Sequence, residues 1–437
     1  MDDDRRRRTP RTDVVLADPQ LAGEVERLGR STVKQTVVAV LEACRTGTVS
    51  PEDVVGVVRD TLPRSATTLR TVVNGTGVVV HTNLGRAPLS QAAVDAVVLA
   101  AGVTDVELDL ATGRRGPRGA GARAALAAAV PDAGDVHVVN NGAAALALAA
   151  CALAGGGREV VVARGEMVEI GDGFRIPELL ESVGARLREV GTTNRVRLSD
   201  YAAALGEQTA FVLKVHPSNF RVEGFTSSVP VSALATLDVP LVADIGSGLL
   251  TPHRRLTEEP DASTYLRMGA DLVTASGDKL LGGPQCGLLL GEAELVRRLR
   301  RHPLARAVRV DKLTLAALEA TLAGPAPPVT GFLRATPDDL LARARQLAAA
   351  LGAGVAEAVS SHAAVGGGGA PGVSLDSAAV ALPAHLAGPL RRGDPAVVGH
   401  LVDGRLLLDL VAVPPEQDQA LLDAVRRALA DAGTQAP

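Results

Sequence analysis

The chain has 437 residues, 45 basic against 49 acidic, for a net charge of −4. Hydrophobic residues at 46% and charged ones at 22% exclude a disordered chain, and the near-balance of charge excludes a global polycation while leaving room for a local nucleic-acid surface. Five Phe, two Tyr and no Trp leave few platforms for base stacking.

The charged run at residues 2–8 reads as a solvated tail, with no apolar stretch behind it to make a secretory signal. Residues 16–43 carry apolar side chains at helical spacing, with Asp18-Pro19 as a start. Ser50-Pro51-Glu52-Asp53 reads as an N-cap followed by Pro in the first turn. Charges over residues 1–65 cancel, 11 basic against 11 acidic, but Arg27, Arg30 and Lys34 recur at i, i+3 and i+7 and predict one basic helix face. That face is either a solvated stripe or a surface for phosphates.

From about residue 72 short β-branched runs alternate with Ala/Leu-rich helical stretches. Strands are predicted at 78–81, 136–140, 159–163, 187–190, 210–215, 240–244, 271–275 and 287–290. This rhythm predicts an α/β fold, a mostly parallel sheet covered by helices on both faces, with its ligand at the carboxyl ends of the strands. The longest apolar stretch, residues 143–154, is too short to span a bilayer. Cys44, Cys151 and Cys286 are odd in number and far apart, which argues against a disulfide framework or a zinc site and for a reduced, cytoplasmic protein. Gly324-Pro325-Ala326-Pro327-Pro328 breaks the pattern. A helix at 337–351, a glycine run at 366–369, a strand at 405–410 and a last helix at 415–430 then read as a small α+β domain. The glycines are either a linker or a tight turn against the large domain. Three parts result: a helical domain at 1–65, a large catalytic domain at 66–323 and the small domain at 324–437.

Only four of the 45 basic residues are Lys: Lys34, Lys214, Lys279 and Lys312. An amine nucleophile is one task that Arg cannot take over, because guanidinium does not deprotonate in proteins. Lys279 stands in Thr274-Ala-Ser-Gly-Asp-Lys-Leu-Leu-Gly-Gly-Pro-Gln-Cys-Gly287, at a strand end beside glycines, which suits a Schiff base. Asp244 lies 35 residues earlier at another strand end, where a carboxylate can hold the protonated nitrogen of a pyridine ring. Asn219 follows the strand at 210–215 and is a candidate donor to a phenolic oxygen of such a ring. Asn141, Gly142 and Ala143 open an Ala-rich helix after a strand, a seat for phosphate at a helix N-terminus, with Ser276 able to add its hydroxyl. In the order phosphate loop, Asn, Asp, Lys, these match the aspartate-aminotransferase-like class of pyridoxal phosphate enzymes.

A narrower resemblance rests on longer segments. Asn74-Gly-Thr-Gly-Val-Val-Val-His-Thr-Asn-Leu-Gly-Arg86, Arg164-Gly-Glu-Met-Val-Glu-Ile-Gly-Asp-Gly-Phe-Arg-Ile-Pro177, Glu189-Val-Gly-Thr-Thr-Asn-Arg195, Lys214-Val-His-Pro-Ser-Asn-Phe-Arg-Val-Glu-Gly-Phe-Thr226, the segment around Lys279 and Arg309-Val-Asp-Lys-Leu-Thr-Leu315 are similar to the bacterial selenocysteine synthases, the L-seryl-tRNA(Sec) selenium transferases. The resemblance implies a fold type I architecture with pyridoxal 5'-phosphate on Lys279. It implies β-elimination of water from L-seryl-tRNA(Sec), then addition of selenium from selenophosphate. Arg86, Arg306 and Arg309 match family positions for the anionic donor. Arg306 and Arg309 would share one helix face if their segment is helical. Asp278 matches a catalytic position. The helical N-terminal part matches a tRNA-recognition domain, which supports the phosphate-facing reading of Arg27, Arg30 and Lys34. Large homo-oligomers, typically five dimers, are implied, with Arg86 and residues 191–195 serving a neighbouring subunit's site. The chain departs from the family with Gly142 in place of a polar residue and Val411 in place of an Arg, and no aromatic residue or His follows the strand at 159–163 to stack on a ring. No metal ligand set is predicted.

Two rival readings remain. One is a related pyridoxal phosphate lyase acting on a small phosphorylated amino-sugar acid. The other is a non-catalytic tRNA-binding scaffold, against which Asn219, Asp244 and Lys279 together argue.

Overall fold

The computed structural model describes residues 8–170, 173–352 and 354–434, so all of the N-terminal charged run except Arg8 lies outside the described residues. Its contacts separate a unit ending at Thr71 from a unit beginning at Val72.

The first unit is helical: Thr12–Leu16, Ala22–Leu28, Arg30–Thr46 and Val54–Thr61. Val33, Val37 and Leu41, spaced by four residues along one helix face, pack with Leu21, Val54 and Val58, and all six are 0% exposed. Asp18 caps the turn before the second of these helices by accepting from Gln20 N–H at 2.8 Å, as Asp18-Pro19 predicts. The Ser50 hydroxyl makes no capping bond, although Pro51 does open a turn there. The one helix face read through Arg27, Arg30 and Lys34 is broken at Gly29, whose φ of 81° ends one helix before the next begins. Arg27 therefore does not share a face with Arg30 and Lys34. It binds Glu24 and the carbonyls of Pro63 and Arg64, tying its helix to the segment after the last one.

The second unit is built on a seven-stranded sheet. Its strands are β1 (Asp135–Val139), β2 (Glu159–Ala163), β3 (Arg186–Val190), β4 (Thr209–Val215), β5 (Leu241–Asp244), β6 (Leu272–Ser276) and β7 (Gly287–Gly291). They lie in the order β1-β7-β6-β5-β4-β2-β3, all parallel except β7, which runs against both neighbours. β4 is buried at all seven positions, as a strand covered on both faces must be. Separate clusters pack the two faces, one around Leu146, Leu148, Phe211 and Leu213, the other around Leu126, Tyr201, Leu241 and Ile245. The expected fold class, a mostly parallel sheet under helices with a small α+β part, is what the chain adopts.

The small lobe holds a five-stranded sheet in the order His400–Val402, Arg405–Asp409, Ser374–Pro383, Glu357–Gly366, Val78–Val80. Its last strand was expected in the large sheet. Instead it pairs in parallel with Glu357–Gly366, Val78 opposite Ala364 and Val80 opposite Gly366. A β-branched run states that a segment is a strand, not which sheet it joins. The helix Pro337–Leu351 and the last helix, Asp418–Thr434, cover this sheet's core. The glycine run proves to be a tight turn: Gly366, Gly367 and Gly368 take φ of 72°, 61° and 74° after the strand, a left-handed course open to glycine. No described helix is long and apolar enough to cross a membrane.

Candidate active site

Strand ends converge here as the parallel topology requires. β6 ends at Ser276 and is followed by Asp278 and Lys279, the latter only partly open to solvent. The Lys279 Nζ lies in a nook that side chains larger than hydrogen would fill. A Cβ built on Gly368 would sit 3.2 Å from Nζ, and one built on Gly246 3.9 Å from it. The same two positions are each 3.4 Å from Ser218 Oγ, so the Ser218 hydroxyl shares the nook with the amine. Burial lowers the Lys279 pKa, opposed by the negative charge of Asp244, while Arg86 pushes in the same direction as burial.

Asp244 ends β5. Its Oδ1 accepts from the Thr274 hydroxyl at 2.7 Å, and Gly246 N–H also donates to the carboxylate. The residue keeps some surface toward the cleft, yet enough protein surrounds the carboxylate that desolvation raises its pKa against the pull of Thr274, Lys279 and His216. A carboxylate in that state is ready to gain a cationic partner.

The helix Gly142–Ala154 starts right after β1. Asn141 caps it, Oδ1 accepting from Ala144 N–H at 2.8 Å, so Asn141 serves the helix with its side chain. The first two helical N–H groups, on Gly142 and Ala143, are left for a ligand. Ser276 Oγ lies only 2.7 Å from where a Cβ on Gly142 would stand, which puts the hydroxyl at the mouth of this seat. Seat, carboxylate and amine lie at neighbouring strand ends and fit a phosphorylated ring that bears an aldehyde.

Arg86 sits in the left-handed region, φ 65°, and its Nη1 donates to Asp278 Oδ2 at 2.5 Å. Ala87 N–H donates to the Asp278 carbonyl as well, at 3.2 Å. Within the chain, Arg86 is thus tied to Asp278. Arg306 is exposed on the helix Pro303–Ala307, which ends before Arg309. Arg309 instead forms an isolated bridge with Val139, and Asn140 N–H donates to Val308 O at 3.0 Å, so the one-face premise fails while Arg309 stays beside the phosphate seat. Asn219 is not brought to Lys279. It is exposed and donates to the Glu169 carbonyl at 3.0 Å, and Ser218, one residue earlier, stands in the nook. Lys214, the other buried lysine, is paired with Glu166.

Three residues near the amine carried no usable signal in the sequence. Ser218 was one of two polar neighbours after Pro217, and only the turn decides which faces inward. His216 directly follows β4, its N–H donating to Asp244 O at 2.9 Å. Glu259 sits in an irregular loop far from any strand end.

A family model described as L-seryl-tRNA selenium transferase matches residues 72–414. The chain belongs to this family. A second model, described as selenocysteine synthase N terminal, matches residues 6–45. The L-seryl-tRNA(Sec) selenium transferase of Hyphomonas neptunium is 40% identical over 96% of this chain and 98% of its own length. That of Moorella thermoacetica is 44% identical over 83% of this chain and 82% of its own length. Among solved structures, D-glucosaminate-6-phosphate ammonia-lyase superposes with a TM-score of 0.59 over 84% of this chain and 97% of its own, at 20% identity, a likeness of fold alone. Lys279, Asp278, Asp244, Ser276 and the 141–143 seat all stand at or just after the carboxyl ends of strands of the large sheet, while Arg30 and Lys34 belong to the helical unit.

Proposed function

We propose that this chain converts L-seryl-tRNA(Sec) to L-selenocysteinyl-tRNA(Sec), with pyridoxal 5'-phosphate held at Lys279 and selenophosphate as donor. The observation that carries this is the grouping at the strand ends of the open N–H groups of Gly142 and Ala143, the Ser276 hydroxyl beside them, and Asp244 with the Lys279 amine in its field, in a chain of this family. Gly142, Ala143 and Ser276 would hold the phosphate, Asp244 the ring nitrogen and Ser218, in place of Asn219, the ring's oxygen substituent. Bound there, the coenzyme supplies an electron sink that acidifies the seryl α-hydrogen. Lys279 Nζ, driven toward the neutral amine by burial, takes that proton. Asp278, fixed by Arg86, steadies the resulting ammonium and orients it toward the departing β-hydroxyl. Arg306 and Arg309 supply permanent positive charge for the multiply charged anionic donor, Arg309 from its place beside the phosphate seat.

The helical unit, with Arg30 and Lys34 exposed and Arg27 serving mainly its own packing, is the proposed tRNA reader. A homo-oligomer, in the family's pattern five dimers, is supported by the helix Gln91–Ala101, which exposes Val94, Val98 and Leu99 beside a hollow of about 760 Å³. Its place of work is the cytoplasm.

The test is to incubate the protein with seryl-tRNA(Sec) and selenophosphate and to assay selenocysteyl-tRNA. No product, together with turnover of a free phosphorylated amino-sugar acid, favours the lyase. A visible absorption band that borohydride abolishes, absent in Lys279→Ala, is expected. A colourless protein even with added coenzyme favours the scaffold.

A further inference from the structure

Glu259 is buried to 1% exposure of its side chain, in a loop that none of the roles above uses. One of its oxygens, Oε1, is buried and has no partner among the described residues. The other, Oε2, takes two hydrogen bonds. Ala370 N–H donates to it at 2.6 Å, and His216 Nε2 lies 3.2 Å away. An ionised carboxylate offers only acceptors, so its bond with His216 requires a proton on Nε2. A fully buried carboxylate with an unbonded oxygen is costly to keep, because that oxygen has given up its water and gained no donor in return. Its retention calls for a compensating task.

What it holds is informative. Ala370 closes the glycine turn at 366–369 and is itself left-handed, with φ of 48°, a conformation that crowds an alanine's Cβ. Such a residue persists only where its surroundings over-determine it. The turn lies directly on the reactive amine. Gly368 comes against Lys279 Nζ and Ser218 Oγ, and Gly369 against Leu280 and Ser247. His216, on the other side of Oε2, follows β4 and is bonded through its backbone to Asp244.

We propose that Glu259 is a positioning residue that clamps the small lobe's glycine turn over Lys279 and fastens it to the cofactor wall through His216. One oxygen atom thereby sets the distance between the turn and the amine. The proposal rests on the coenzyme reading for its consequence, and on the chain's own contacts for its mechanism.

Three substitutions separate reach from charge. Glu259→Gln keeps an oxygen at the Oε2 position and removes the charge. Glu259→Asp keeps the charge and withdraws the oxygen by one methylene. Glu259→Ala removes both. Amide hydrogen exchange at 368–370 in the coenzyme-free protein, and the dissociation constant of pyridoxal phosphate from its visible absorption, are the two readouts. Asp and Ala variants are expected to exchange about tenfold faster at Ala370 and to bind coenzyme about tenfold more weakly, the scale of one lost charge-assisted hydrogen bond. The Gln variant is expected to stay within about threefold of the parent on both, a rescue that a purely electrostatic role would not allow. Adding Ala370→Gly, which relieves the left-handed strain, should shrink the effect of Glu259→Asp. Parent-like exchange and affinity in the Asp variant, or a Gln variant as loose as the Asp one, overturns the clamp. Should Glu259→Ala fail to fold, the Asp and Gln pair decides alone. A parent protein that never takes up coenzyme would defeat the functional reading instead, and the exchange arm would still judge the clamp.

Discussion

Alanine at position 142 would favour the helix that begins there, yet it would place a methyl carbon 2.7 Å from the Ser276 hydroxyl. Gly142→Ala is therefore expected to leave the melting temperature unchanged or slightly raised while weakening coenzyme binding about tenfold, through loss of the Ser276 bond to phosphate. Absorption titration against a thermal scan checks the two halves. His137 on β1 offers a separate test of burial. Desolvation, reinforced by Arg300 and Arg123, takes its pKa down from 6.5 to about 4. Between those values the unfolded chain binds a proton that the native chain refuses. This contribution to stability is complete above pH 6.5 and is lost as the pH falls toward 4, by up to ~3 kcal/mol. Urea midpoints measured across that range should fall less steeply in His137→Gln, and equal slopes would show that the imidazole is not held neutral. The placement of Lys279, Asp244, Ser276 and the 141–143 seat was legible because each ends a strand or comes within a few residues of its end, where a sheet topology leaves little freedom. Ser218 was not, because a turn after Pro217 sets its direction, and Glu259 was not, because its contacts come from residues more than 40 and 110 positions away.

The helices of the first unit assign different work to residues that the periodicity grouped together. Arg27→Ala removes bonds to Glu24, Pro63 and Arg64 and should lower that unit's stability. Arg30→Ala with Lys34→Ala breaks no ion pair among the described residues. It should leave stability alone, weaken binding of the serine tRNA and reduce the salt slope of binding by about two. An unchanged salt slope would remove these two from the tRNA surface. A glycine inside a periodic pattern is compatible with a continuous helix, so only its positive φ reveals the break at Gly29. Strand positions in the large sheet were readable from β-branched runs between Ala-rich helices. The small-lobe location of Val78–Val80 was not, since its partner lies more than 280 residues onward.

For the whole molecule, the proposed assembly is tested at the exposed apolar side chains Val94, Val98 and Leu99 of Gln91–Ala101. Val98→Asp with Leu99→Asp, both exposed in the single chain, should yield a smaller species in sedimentation without unfolding it. An unaltered sedimentation coefficient would point assembly to another face. The small lobe has a further implication for biogenesis. Its sheet joins Val78–Val80 to Glu357–Gly366, and its turn roofs the reactive amine. A ribosome must therefore release most of the polypeptide before that roof can form, so the enclosure around Lys279 is a late event in the maturation of each nascent chain.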